Sequence, residues 1–413
     1  MEAQAQIANA ATGAPATTAK LRPNPFSQVT VRSEAGVPME LRIWCVTRSR
    51  GAVTRNFARG NNANFERIYQ AAAGADAGAA KSLPDLVLLA SFGLWAPEDD
   101  LIDPVHIHAP LQPRLESGPQ PPPLDAFALR GEVWLQEGAE PPAQLAGFPL
   151  GCLAPARPIL WHQGAPSEPI LPWWPATECL AAVAALQGSA PRRPEMMPAL
   201  SALAEQGIAV CEPAMAERDS GRGSKREDQR ELFSRQFFSR DGFAPLGRIL
   251  PPGQIAAWRD YWQKFAALEV MPDRGDNGAR LGSNGEPSSA LMLHLLQPLV
   301  AEIAGAAIKP AYSYAWIYRR GATMPLHRDR DPCRYTLSVL IDYAPAVDGP
   351  TPWPLGIHPR GGGAPLEIRQ SVGEAIIFNG QELSHFRPPF TAGTQSTSLL
   401  LHYVDRDFTG VMF

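Results

Sequence analysis

The chain has 413 residues, 37 Lys and Arg against 41 Asp and Glu, and a formal net charge of −4, which excludes a generally basic nucleic-acid binder. Hydrophobic residues make up 45%, enough for a buried core, whereas 35 Gly and 43 Pro exclude a long helical bundle or coiled coil, because both residues interrupt helix interiors. Five scattered cysteines (Cys45, Cys152, Cys179, Cys211, Cys333) without a CxxC pair argue against a disulfide framework or structural zinc and fit a reducing cytoplasm.

The N-terminus, MEAQAQIANAATGAPATTAK, lacks the basic start and apolar core of a secretory signal. Residues 1–25 read as a disordered tail. No apolar run is long enough to span a bilayer, so no membrane association is expected. Residues 26–216 read as a Pro-rich mixed α/β region, an accessory or substrate-recognition domain of unknown type. Within it Leu41–Thr47, Asp85–Ser91 and Pro155–His162 are expected strands, Leu111–Leu124 a surface loop, and Pro194–Pro213 a helix, a stop at Gly207 and a short strand. The run ERDSGRGSKREDQR over 217–230 cannot bury enough apolar surface to order itself and reads as a linker. A domain boundary is expected there, with a second domain over 231–413.

That second domain begins with an expected strand, Phe243–Leu250, and a helix after Pro251. Ile255, Trp258, Trp262 and Phe265 share one helical face. A second helix is expected over Ser289–Ala304, kinked at Pro298. From Tyr312 onward, short β-like runs (Tyr312–Tyr318, Tyr335–Tyr343, Pro365–Arg369, Ala375–Asn379, Ser396–Val404) alternate with Gly/Pro turn signals, as in a sandwich or barrel.

Inside this β-rich half stands His327-Arg328-Asp329, with His385 far downstream. In an extended segment residues i and i+2 point to one side, so His327 and Asp329 can face one metal and a distal His can complete the set. Two imidazoles and one carboxylate with open positions form the facial triad of non-haem Fe(II) oxygenases. Other metal signals are weaker. His106 and His108 share a face without a third ligand, and His162, His294 and His358 carry no pattern. Trp173-Trp174 reads as core packing, and the loop Asp348–Leu355 either as a substrate-facing lid or as a turn with Trp353 packed inward.

The neighbourhood of the triad carries a resemblance. Tyr318-Arg319-Arg320-Gly321 precedes His327, Gly373–Phe378 precedes His385, and the domain opens with RDGFAPLGRILPPGQIAAW. These residues resemble the prolyl-4-hydroxylase-like branch of the Fe(II)/2-oxoglutarate dioxygenases, over roughly 232–413 only. The implied fold class is α+β, with a C-terminal double-stranded β-helix (jelly roll) preceded by helices, beside the N-terminal α/β region. The resemblance implies Fe(II) held by His327, Asp329 and His385, with 2-oxoglutarate and O2 as cosubstrates, and Tyr318 beside the 2-oxoglutarate. The family's basic residue downstream of the distal His is replaced here by Gln395, and a neutral amide cannot pair with a carboxylate as a cation does. Arg387, with hydroxyl support from Ser396 or Ser398, is the expected substitute, and Arg334 the second choice. His402, in the closing strand, is a further candidate for cosubstrate contact. The expected activity is hydroxylation of a peptide or protein side chain. A small-metabolite hydroxylase and a non-catalytic jelly-roll binding protein are the alternatives. Neither the hydroxylated atom nor the oligomeric state follows from the sequence.

Overall fold

The computed structural model of the chain describes residues 21–34, 36–62, 65–73, 83–113, 122–211 and 234–412. The expected linker 217–230 and most of the Pro-rich loop lie outside these residues. The chain divides into two compact units. One comprises residues up to Val105 together with Leu268–Pro272, and the other comprises His106–Ala267 and Asp273–Met412. The division therefore falls near residue 105 and not at 217–230, because residues 106–211 pack with the C-terminal half.

In the first unit, strand β1 (Leu21–Pro23) is followed by β2 (Ser27–Glu34), β3 (Val37–Thr47) and β4 (Gly51–Ala58). Helices α1 (Phe65–Ala73) and α2 (Leu83–Ser91) come next, and then β5 (Trp95–Pro97). Strands β2-β3-β4 form an antiparallel sheet and β1 pairs with β5. Leu41 and Ile43 of β3 pack against Phe65 and Ile68 of α1 and against Leu89 and Leu94. Two expectations are corrected here. The tail does not extend to residue 25, because Leu21–Pro23 is a paired strand and buried Asn24 donates from its side chain to the Val46 and Gly93 carbonyls. Asp85–Ser91 is helical, not extended: an apolar run without alternation fits either state, and its length alone does not choose between them.

The second unit has two parts. In the first, β6 (Pro110–Leu111), β7 (Phe127–Leu129), β8 (Glu132–Gln136), β9 (Ile159–Gln163), β10 (Leu171–Pro175) and β11 (Ala209–Cys211) accompany helices α3 (Thr177–Leu186) and α4 (Met197–Glu205). Trp161 and Trp173 are fully buried in the sheet β6-β10-β9-β8. The helix–Gly–strand expectation holds: Gly207, at φ +72°, makes the left-handed turn between α4 and β11. This part holds the second through helix α5 (Pro252–Ala267). Gln206 Oε1 accepts from Gly253 N at 2.9 Å, and Gln254 Nε2 donates to the Pro172 carbonyl at 2.5 Å.

The second part contains β12 (Phe243–Arg248), β13 (Arg280–Asn284), helices α6 (Pro287–Leu295) and α7 (Gln297–Ala304), and β14 (Ile308–Arg319). After these come β15 (Met324–His327), β16 (Tyr335–Ala344), β17 (Leu355–Ile357), β18 (Leu366–Ile368), β19 (Glu374–Asn379), β20 (His385–Arg387) and β21 (Gln395–Asp405). The expected second helix is thus two helices that break before Pro298. A six-stranded antiparallel sheet runs β12-β19-β16-β21-β14-β13, and a four-stranded one runs β15-β20-β17-β18. Alternation explains the layering. Leu337, Val339, Leu399 and Leu401 are fully buried, whereas Thr336, Ser338, Ser398 and Leu400, on the opposite parity, line a cavity. On α5, Ile255, Trp258, Trp262 and Phe265 are buried as the spacing predicts, and Arg259 donates to Asp342 of β16 at 2.5 Å.

Candidate active site

A cavity of about 410 Å³ is lined by residues of both sheets, a volume ordinary for small-molecule sites. The pairing of β15 with β20 sets His327 directly opposite His385, with ring centroids 4.3 Å apart. Asp329 follows just beyond β15, where its backbone N donates to the Gly380 carbonyl at 2.8 Å. Both imidazole Nε2 atoms lie 3.7 Å from the same carboxylate oxygen, Asp329 Oδ1. The other ring nitrogens are already engaged, His327 Nδ1 with the Pro325 carbonyl at 2.8 Å and His385 Nδ1 with the Leu383 carbonyl at 3.1 Å. A carbonyl only accepts, so Nδ1 carries the proton and Nε2 presents its lone pair toward Asp329. Burial lowers the His385 pKa and favours the neutral, ligating form.

Behind the carboxylate, Thr336 Oγ donates to Asp329 Oδ2 at 2.9 Å and meets His402 Nδ1 at 3.0 Å. One hydroxyl proton serves Asp329, so His402 Nδ1 is the donor to Thr336. His402 lines the cavity, with burial lowering its pKa to about 4. Gly380 lies hard against this group: a Cβ there would fall 2.1 Å from Asp329 Oδ2. Cys333 is the other close neighbour. Burial pushes its thiol up to about 12, which leaves it a poor nucleophile.

Arg387, two residues after His385, is buried and lines the cavity with its guanidinium 4.7 Å from the Trp353 ring. No carboxylate among the described residues pairs with it, and burial presses its pKa downward. Tyr318 lines the same end, with its ring 4.9 Å from Trp353, and burial raises its phenol to about 12. Ser398 Oγ and Ser338 Oγ are buried there without hydrogen-bond partners. Ser396, on the same parity as Ser398, does not line the cavity. Arg334 is turned away and pairs with Asp405, and Gln395 stands opposite Arg319 in the ladder. Trp353 is packed inward, donating to the Pro388 carbonyl at 2.8 Å, so it serves as the platform under Arg387. His108 packs on the Trp174 ring at 5.0 Å.

Sequence reasoning missed one feature of the cavity. Tyr312, Tyr314, Trp316 and Tyr318 form a row along one face of β14. The signal was present as period-two aromatics in AYSYAWIYR, a pattern that equally describes a core strand.

No known family model matches the sequence, and no curated protein matches it. The structure is similar in part to several solved structures. They include AviO1 from Streptomyces viridochromogenes Tue57, 20% identical over 44% of this chain and 97% of that one, with a TM-score of 0.36. The Pseudomonas putida prolyl-4-hydroxylase is 17% identical over 43% of this chain and 94% of that one, with a TM-score of 0.32. HygX from Streptomyces hygroscopicus, solved with nickel and 2-oxoglutarate bound, is 12% identical over 42% of this chain and 86% of that one, with a TM-score of 0.34. At these scores the likeness carries no argument about the site, whose chemistry rests on its own geometry.

Proposed function

We propose that the chain is an Fe(II)- and 2-oxoglutarate-dependent oxygenase that hydroxylates its substrate, with a jelly-roll C-terminal domain bearing the site. The convergence of His327 Nε2, His385 Nε2 and Asp329 Oδ1, with both Nδ1 atoms engaged by backbone carbonyls, carries this reading. Such a donor set suits Fe(II) and leaves positions open. Bound iron would supply O2 activation with 2-oxoglutarate as the co-reductant, giving succinate, CO2 and a hydroxylated product.

The chain's own residues have separate tasks. His327, His385 and Asp329 would hold the metal. Thr336 and His402 orient the carboxylate from behind. Arg387, buried without a carboxylate partner, would take the distal carboxylate of 2-oxoglutarate as a charge-assisted fork, with Tyr318 and the free hydroxyl of Ser398 beside it.

A peptide or protein substrate fits both the resemblance and a separate recognition domain. Residues 106–211 instead share one compact unit with the site-bearing strands, and a cavity of about 410 Å³ accommodates a small molecule or a single side chain. A small-molecule substrate is the reading we favour.

Anaerobic titration of the protein with Fe(II) and 2-oxoglutarate is expected to give a metal-to-ligand charge-transfer band, and admission of O2 is expected to give succinate. Replacement of His327 by Ala should abolish both. A wild-type protein with neither signal would sink the proposal in favour of a non-catalytic binding protein.

A further inference from the structure

The cavity holds more positive charge than metal and cosubstrate account for. Arg280, Arg330 and Arg387 line it against a single carboxylate, Asp329. With Asp276 paired to Arg280 at 3.9 Å, three arginines against two aspartates leave one positive charge, and a divalent metal with a dianionic cosubstrate leaves that balance unchanged. Of the three, Arg387 is buried, Arg280 half-buried and Arg330 exposed, so the last two are within reach of an incoming ligand.

The arginines are held by aromatic rings. The Arg330 guanidinium lies 4.7 Å from the Tyr312 ring and the Arg280 guanidinium 5.2 Å from the Trp316 ring. A guanidinium stacked on a ring uses its face and keeps its N–H edge for an anion. Arg280 donates to the Thr323 and Arg274 carbonyls at 3.2 Å each. Its buried Nε has no hydrogen-bond partner, because the ion pair with Asp276, at 3.9 Å, is beyond hydrogen-bond distance. Arg330 donates from Nε to the Tyr312 hydroxyl at 3.2 Å and has no ion-pair partner among the described residues.

Between these two cations lie Tyr314 and Trp316, whose rings stack at 4.6 Å. Both are only half-buried, whereas Tyr312 and Tyr318 are buried. The pair depends on Gly282, opposite Trp316 in the ladder. A Cβ there would fall 2.6 Å from Tyr314 Cε1 and 2.7 Å from Trp316 Cζ3. The backbone is thinned at the one place where the ring seat forms.

We propose that the substrate is a small acid carrying a flat ring, with Arg280 and Arg330 holding its anionic group and Tyr314 and Trp316 holding the ring. The proposal rests on the oxygenase reading, in which Arg387 belongs to the cosubstrate.

The test is ligand-observed NMR on the full chain with Zn(II) and excess 2-oxoglutarate, which occupies Arg387 and prevents turnover. The probes are benzoate, phenylacetate and indole-3-acetate, each beside its neutral amide. At least one acid is expected to bind about tenfold more tightly than its amide, a preference lost in R280M and in R330M, as expected for a charge-assisted hydrogen bond. R280K, which keeps the charge, should restore part of it, and G282A should weaken acid and amide alike. No acid preference in the wild type, or one that survives both R280M and R330M, would overturn the proposal. The charge-transfer band of the wild type with Fe(II) and 2-oxoglutarate separates the two ideas. A band without acid preference removes only the substrate assignment, whereas an absent band removes the oxygenase reading and this substrate role with it.

Discussion

Asp329 is the most constrained residue of the site, and a glycine without an unusual backbone angle constrains it. Gly380 accepts the Asp329 amide through its carbonyl and leaves no room for a methyl group beside Oδ2. Gly380→Ala is therefore expected to displace the carboxylate and lower metal affinity about 10–100-fold, the usual cost of disturbing a ligand's support, as read by isothermal titration with Fe(II). An unchanged affinity would mean that the loop yields freely. Arg387→Met tests the other end of the cavity. Loss of a charge-assisted fork should raise KM for 2-oxoglutarate about 10–100-fold with little change in kcat. The triad was legible in the sequence because HxD in an extended segment already places two ligands on one side. The Gly380 contact was not, since Asn379-Gly380 reads equally well as an ordinary turn.

Helix α6 shows how an element is locked beneath the sheet. Glu286, fully buried, accepts from Ser288 N and Ser289 N at 2.9 Å each, from Ser288 Oγ at 2.7 Å, and from the Tyr261 hydroxyl of α5. One side chain thus caps α6 and ties it to α5, while Tyr403 of β21 donates to the Leu293 carbonyl at 2.8 Å. Glu286→Ala removes a cap and strands several buried donors, so a loss of about 3 kcal/mol in urea denaturation is expected. A loss under about 1 kcal/mol would show that water replaces the carboxylate. Aromatic spacing made the buried face of α5 readable in advance. The Glu286 cap, which joins residues of two helices, had no local signal beyond a Glu before a proline.

Acid should weaken the second unit. His294 of α6 packs against Phe148 at 5.0 Å, and burial lowers its pKa from 6.5 to about 4. A histidine held neutral in the fold contributes no penalty above its unfolded value, and stability is lost as pH falls from 6.5 toward 4, because the unfolded chain takes up the proton first. The loss between pH 7 and pH 5 is expected to reach up to about 2 kcal/mol. His294→Leu should flatten that part of the stability profile, and an equally steep profile in the variant would assign the acid sensitivity elsewhere. Among the described residues no helix is long and apolar enough to cross a membrane. The division near residue 105 had no marker in composition. Contacts such as Gln254 to Pro172 decide which segments share a core, and these join residues far apart in the chain.

Local chemistry made most strands of the C-terminal half, the helical face of α5 and the candidate metal ligands readable from the order of residues, because periodicity and an i, i+2 spacing act over a few residues. The choice between Arg387 and Arg334, and the inward turn of Trp353, depended on which side chains the two sheets bring together. Arg334 and Arg387 are alike as residues. One meets Asp405 at the surface, and the other is buried on an aromatic ring in the cavity that His327, Asp329 and His385 also line. A buried cation without a carboxylate partner is a stronger seat for an anion than a surface one already paired, and desolvation is a property of the packed molecule.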